Sequence, residues 1–351
     1  MSEKFRELLK KVGSGQHTHK NLTREEAKLA MEMMLKQEAT PAQIGAFLIA
    51  HRIKRPTGEE LAGMLDCYEE LGIKLPSLTN TKYPLTVFGL PYDGRSRTAP
   101  IAPLIALILA SSGVPVLMHG GRRMPTKYGI PLVEIWQYLG LDFTNLSLNQ
   151  VHNLLENTGF GFIYLPTHFP QAQKLVQYRE EIGKRPPLAT LELMWLPDEG
   201  ESHLIAGYVH PPTEKMIREA LNLKGINTYT LVKGLEGSCD LRGNQTTIIA
   251  ISNQQEKEGF EYLKINGQNY GFKYHDIELS DEKTYLSQVE NIIEGRESIL
   301  TESVIYNSGF YLWRCGVCDT IDQGFKIAEN ILTTQTLKAT IEKIRKMGKF
   351  D

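Results

Sequence analysis

Cysteine is scarce in this 351-residue sequence: only Cys67, Cys239, Cys315 and Cys318 occur. Four thiols in so long a chain exclude a disulfide scaffold and predict reduced cysteines. Cys315-Gly-Val-Cys318 has a redox or zinc spacing, yet no second Cys pair completes a zinc site. Small residues packed on a helix are the expectation there. Long apolar runs are also missing. The longest, Ile101–Leu109, is too short to span a bilayer and is broken by Pro103. The first residues, MSEKFRELLKK, are charged and carry no apolar leader core, which predicts a cytoplasmic protein with no membrane partner. An excess of one charge is absent as well: 39 basic against 41 acidic residues leave a net charge of -2. No global attraction to nucleic acid or anionic lipid follows, and any polyanion site must be a local cluster. There is no internal repeat and no low-complexity tract.

What is present is ordinary core material. Hydrophobic residues make up 41%, and the length points to two domains. Residues 1–78 read as a helical domain. Thr23-Arg-Glu-Glu26, Thr40-Pro-Ala-Gln43 and Thr57-Gly-Glu-Glu60 are capping boxes. In each, a threonine oxygen accepts a first-turn N–H and the acidic or amide side chain reaches back. Ile44, Phe47, Leu48 and then Leu61, Leu65, Tyr68 follow at helical spacing. Lys74–Tyr83, with Pro76 and polar turn residues, reads as a linker.

Residues 79–351 read as an α/β domain. Leu85–Phe88, Val114–Met118, Gly161–Leu165, His203–Val209, Thr228–Leu231 and Thr246–Ile251 are predicted strands. Ile101–Ser111, Leu132–Leu139, Phe169–Ile182 and Thr213–Leu223 are predicted helices between them. This alternation predicts a mostly parallel sheet flanked by helices. Glu261–Ile265 and Asn269–His275, on either side of Gly267, predict an antiparallel hairpin, and Ser287–Lys346 is mainly helical.

Ligands of such sheets bind at the strand ends. Gly89-Leu-Pro-Tyr-Asp-Gly94, with Arg95, Arg97 and Thr98, follows one strand. His119-Gly-Gly-Arg-Arg123, with Thr126 and Lys127, follows another. Glycine lets backbone approach an anion and arginine offers forked donors to phosphate. Arg95, Arg97, Arg122, Arg123 and Lys127 therefore predict an anion site across two adjacent loops. A third loop, Lys233–Asp240, carries Glu236 and Asp240, which read either as Mg²⁺ ligands or as a solvated turn.

Together these motifs resemble the anthranilate phosphoribosyltransferase family, of the nucleoside-phosphorylase-like class. Gly89-Leu-Pro-Tyr-Asp93 stands where that family has Gly-Thr-Gly-Gly-Asp, and Thr98-Ala-Pro-Ile-Ala-Pro103 where it has Thr-x-Asn-Ile-Ser-Thr. Met118-His-Gly-Gly-Arg122 resembles Lys-His-Gly-Asn-Arg, and Pro125-Thr-Lys-Tyr-Gly129 resembles Ser-Ser-Lys-x-Gly. Arg179–Arg185 resembles a run whose last arginine contacts anthranilate, which implies an acceptor role for Arg185. Gly234-Leu-Glu-Gly237 is similar to Gly-x-Asp-Glu, the Mg²⁺-binding pair, and implies a metal role for Glu236. Asn307-Ser-Gly309 resembles a turn among the C-terminal helices. The resemblance runs over roughly residues 5 to 345. It implies a helical dimerisation domain, a homodimer, and phosphate or anion binding by Gly89, Asp93, Gly94, Arg95, Arg97, Thr98, His119, Gly120, Arg122, Arg123, Thr126 and Lys127.

The departures carry information too. Pro91 has no N–H to offer a pyrophosphate, and Tyr92 puts a ring where glycine allowed close approach. Pro100, Ala102, Pro103, Met118 and Gly237 replace polar or acidic family residues. Tyr92-Asp-Gly-Arg95 and Val114-Pro-Val-Leu-Met-His-Gly120 are similar to a divergent paralogous branch. One member of that branch binds nucleic acid, without base specificity, in a basic groove of a dimer. Two functions are therefore expected to compete. One is a glycosyl or phosphoribosyl transferase-like protein that binds a phosphorylated small molecule and acts on an acceptor other than anthranilate, with an incomplete acidic pair for Mg²⁺. The other is a module that grips a nucleic-acid backbone.

Overall fold

The computed structural model describes residues 2–350. Four helices come first: α1 (Glu3–Gly13), α2 (Arg24–Leu35), α3 (Pro41–Lys54) and α4 (Gly58–Leu71). All three expected capping boxes form, at Thr23/Glu26, Thr40/Gln43 and Thr57/Glu60. Glu60 does more than cap. Its side chain is fully buried. It accepts from the Thr57 and Leu22 N–H groups at 2.8 Å each and from the Lys54 ammonium at 2.7 Å, with His51 at 3.4 Å. One carboxylate thus ties α4 to the end of α3 and to the turn before α2. Burial pushes Glu60 up, but His51, Lys54 and the Leu22 N–H outweigh it and hold it at about 2.

Helix α4 meets its neighbours through two glycines. A Cβ on Gly63 would lie 2.1 Å from the Arg24 carbonyl of α2. One on Gly58 would lie 2.4 Å from Glu219, on the helix Pro211–Leu223 of the second part of the chain. Only hydrogen at these positions permits such contact. Phe47, Leu48 and Met64 are all buried within the chain. The packing of α1–α4 covers these apolar side chains without a second subunit.

The rest is a seven-stranded sheet flanked by helices, in the order β3-β2-β1-β4-β5-β6-β7. The strands are β1 (Leu85–Gly89), β2 (Val116–Gly120), β3 (Phe160–Tyr164), β4 (Ser202–Tyr208), β5 (Tyr229–Lys233), β6 (Thr247–Ser252) and β7 (Phe260–Ile265). The first five are parallel; β6 runs antiparallel to both its neighbours, β5 and β7. Helix α5 (Ala102–Ser111), which follows β1, is buried almost all round. Helices α6 (Leu132–Tyr138) and α7 (Leu148–Thr158) follow β2. Among the described residues no helix is long and apolar enough to cross a membrane.

Three sequence expectations differ from what is observed. The strand Phe260–Ile265 pairs with β6, not with residues 269–275. That second segment forms a short 3-10 turn, Gly267–Tyr270, and then an irregular stretch. Its rings face inward: Phe272 packs 4.9 Å from Phe325 and 5.2 Å from Tyr306, which wins over strand pairing. Asn307-Ser-Gly309 lies inside the helix Thr301–Arg314 rather than in a turn. The stretch 169–182 is not one helix but two, Pro170–Gln173 and Val176–Ile182.

Candidate functional site

The strand order departs in opposite directions from β1 and β4, and that switch point opens a crevice at their C-terminal ends. Because β1 and β2 are neighbours, the loops that follow them meet. Gly129 N–H donates to the Asp93 carbonyl and Ile130 N–H to that of Arg95. Gly94 permits this contact. It has φ 72, and a Cβ there would sit 2.4 Å from the Gly129 carbonyl.

Glu236, from the loop after β5, lies at the centre. Its carboxylate accepts from the N–H groups of Ser96, Arg97 and Thr98, each at 3.2 Å. The Ser96 and Thr98 hydroxyls donate at 3.1 Å each, and Arg95 Nε at 3.3 Å. Its backbone is left-handed, with φ 55, which costs a non-glycine residue about 1 kcal/mol. Burial works against its charge, but the Arg95 guanidinium, the Ser96 N–H, the Lys127 ammonium and the Arg97 N–H hold it at about 2. Arg95 is itself buried and reaches Asp240 at 2.7 Å. Lys127 lies 3.3 Å from buried Asp93 and 4.0 Å from Glu236. Burial lowers its pKa, and Asp93 acts in the opposite sense.

Of the expected anion-site residues, the structure gathers Asp93, Arg95, Arg97, Thr98 and Lys127 around Glu236. Arg97 is 75% exposed along its side chain and grazes Glu236 at 3.9 Å. Arg122 stands apart, exposed, with Nε donating to the Tyr164 hydroxyl at 3.0 Å. Arg123 is drawn away altogether. It grips Glu134 and Glu282 of two neighbouring helices, and its pKa rises through these partners, Glu282 first. The five cations therefore do not share one cleft. Gly89 and Gly120 end β1 and β2, and Thr126 is half-buried beside Lys127. His119 is fully buried, and burial lowers it to about 4. Its Nδ1 is 2.6 Å from the Tyr92 hydroxyl, a contact that ties the β1 and β2 loops together.

The acidic groups do not form a ready metal site. Among the described residues no three His, Cys, Asp or Glu side chains cluster to hold an ion. Both Glu236 oxygens face N–H and O–H donors, and Asp240 faces Arg95. Mg²⁺ needs several free oxygen ligands, and this arrangement does not fit it.

Beside this cluster lies a cleft of about 750 Å³. Arg52, Arg55 and Arg185 line it, together with Tyr208 and His210 at the end of β4 and Gly237 after β5. Sequence reasoning found Arg185 but missed Arg52 and Arg55, which look like ordinary surface charge at a helix end. Residues 6–72 match the helical bundle domain of the glycosyl transferase family, and residues 94–336 match its a/b domain. The chain belongs to that family. The anthranilate phosphoribosyltransferase of Persephonella marina is 26% identical over 349 residues, covering 98% of this chain and 99% of the relative. The fold matches that of the Thermus thermophilus anthranilate phosphoribosyltransferase, with TM-score 0.80, 20% identity and coverage of 97% and 99%. It also matches a Saccharomyces cerevisiae anthranilate phosphoribosyltransferase in complex with PRPP and Mg, with TM-score 0.81, 15% identity and 98% coverage of each chain. The expected family and fold are thus those observed.

Proposed function

We propose that this chain is a divergent family member that binds a phosphate-bearing ligand at its strand-end loops and does not carry out ordinary phosphoribosyl transfer to anthranilate. One observation carries the reading: the Glu236 carboxylate fills the N–H cradle of Ser96, Arg97 and Thr98. A pyrophosphate arriving there would meet a buried like charge and find the donors taken. Pro91 adds no N–H, and Tyr92 is tied to His119. Transfer of this kind depends on orienting two substrates and neutralising the leaving group. Here both oxygens of Glu236, the carboxylate expected to hold Mg²⁺, are already engaged.

The expected result with PRPP, Mg²⁺ and anthranilate is no phosphoribosyl-anthranilate above the uncatalysed background, followed by fluorescence. Robust Mg²⁺-dependent turnover would overturn the reading. A homodimer through α1–α4 belongs to the same proposal. Ile53, 74% exposed on α3, supports it.

A second reading, nucleic-acid binding, is favoured by Arg97 and Arg122, both exposed, Arg97 only grazing Glu236 at 3.9 Å and Arg122 bonded to the Tyr164 hydroxyl rather than to a carboxylate. If it holds, the logarithm of affinity for a short oligonucleotide falls steeply with the logarithm of salt. Replacing Arg97 and Arg122 together by alanine then flattens that slope by about two. An unchanged slope removes these residues from the interface.

A further inference from the structure

We propose that the cleft at the ends of β4 and β5 is built for a doubly charged phosphate monoester that also carries a flat ring, as a nucleoside monophosphate does, not for a monocarboxylate such as anthranilate. The inference deepens the reading above and rests on it, since it places the phosphate outside the cradle that Glu236 fills.

Charge is the first argument. Three arginines line the cleft, and among the described residues no Asp or Glu does. The chain as a whole has more acid than base, so an acid-free cleft with three guanidinium groups is not the average surface. Four buried or half-buried arginines elsewhere in the chain are matched by carboxylates. Arg24 meets Asp66, Arg95 meets Glu236 and Asp240, Arg179 meets Glu192, and Arg242 meets Asp276. Arg52 and Arg185 have only carbonyl contacts, and the Arg55 side chain has no hydrogen-bond or ion-pair partner among the described residues. Arg52 donates to the Arg185 carbonyl at 2.6 Å, and Arg185 reaches the Ala189 carbonyl at 3.5 Å.

Geometry is the second. Arg55 has φ 66, a left-handed conformation uncommon for its type. Lys54 holds the Arg55 carbonyl at 3.1 Å while gripping buried Glu60 at 2.7 Å, so the rim is anchored from below. The helix Pro211–Leu223 begins beside the cleft, but Pro211 and Pro212 have no N–H, and the Thr213 N–H is spent on the His210 carbonyl. Recognition of an anion is therefore left to guanidinium groups.

The third is stoichiometry. A carboxylate accepts one forked pair from a single arginine and leaves two cations facing each other. A phosphate monoester has three terminal oxygens and close to two charges, which suits three guanidinium groups. Pro186, Pro187, Leu193 and Met216 supply an apolar wall for a ring. A cleft of about 750 Å³ is of the size that takes small organic ligands.

The test is calorimetric titration of the full chain with AMP, adenosine, inorganic phosphate and anthranilate. The expected result is one AMP per protomer, bound roughly ten- to a hundredfold tighter than adenosine and tighter than anthranilate or phosphate. Arg55→Ala, on an exposed side chain, is expected to weaken AMP roughly tenfold without shifting thermal unfolding. Arg185→Gln is the second variant and should do the same. Equal binding of AMP and adenosine, tighter binding of anthranilate, or no effect of either variant would overturn the inference. So would a single-stranded oligonucleotide that binds while AMP does not compete. Turnover with PRPP, Mg²⁺ and anthranilate would instead defeat the functional reading beneath it, so the two failures are told apart.

Discussion

Glu236→Ala is expected to lower the unfolding free energy by about 3 kcal/mol at neutral pH and, at the same time, to create affinity for inorganic pyrophosphate that the natural chain lacks. The size follows from linkage. A carboxyl held at about 2 against an ordinary 4.5 is linked to about 3 kcal/mol of stability. The sign is that of a depressed pKa. The contribution is complete above pH 4.5 and disappears as pH falls through about 2. Urea unfolding of the two proteins should therefore converge in acid. Glu236→Gly is expected to be milder by about 1 kcal/mol, because glycine removes the left-handed strain at this position. Pyrophosphate binding is read by calorimetry. If the alanine and glycine variants fold and neither gains it, the carboxylate is a structural strut and not a stand-in for phosphate.

Glu60→Gln is expected to cost about 3–5 kcal/mol, the usual penalty for removing one partner of a buried ion pair. Lys54 stays buried, and its charge then faces only neutral acceptors: the new amide oxygen, the Asn21 side chain and the Arg55 carbonyl. His51 loses its partner as well. Glu60 is also held at about 2, so this stability too vanishes between pH 4.5 and about 2. Urea titrations at neutral pH and near pH 3 measure both points. A loss below about 1 kcal/mol, the range of an ordinary surface pair, would show that water reaches Lys54. Because Lys54 positions Arg55, the variant should also weaken any ligand of the cleft.

The helical caps were legible in the sequence because each is a four-residue event: Thr23, Thr40 and Thr57 need only their own third neighbours. The central strands were legible because both faces are buried, which leaves continuous apolar runs such as Leu85–Phe88. The hairpin expectation failed at Gly267, where rings at Phe272 and Tyr274 are claimed by distant Tyr306. The site shows the same division. Loop positions could be read, but not what each cation touches. Arg95 meets a carboxylate 141 residues away, and Arg123 one 159 away. No local pattern separates an arginine with such a partner from Arg55, which has none.

Helix α4 also has the character of a ruler. Gly58 and Gly63 are five residues apart, which on an α-helix is about 140° of rotation. They press against two different neighbours, the Pro211–Leu223 helix on one side and α2 on the other. One inserted or deleted residue between them would turn one contact away by about 100° and drive a side chain into main chain. Substitutions can drift along this helix, but its length between the two glycines is a fixed count.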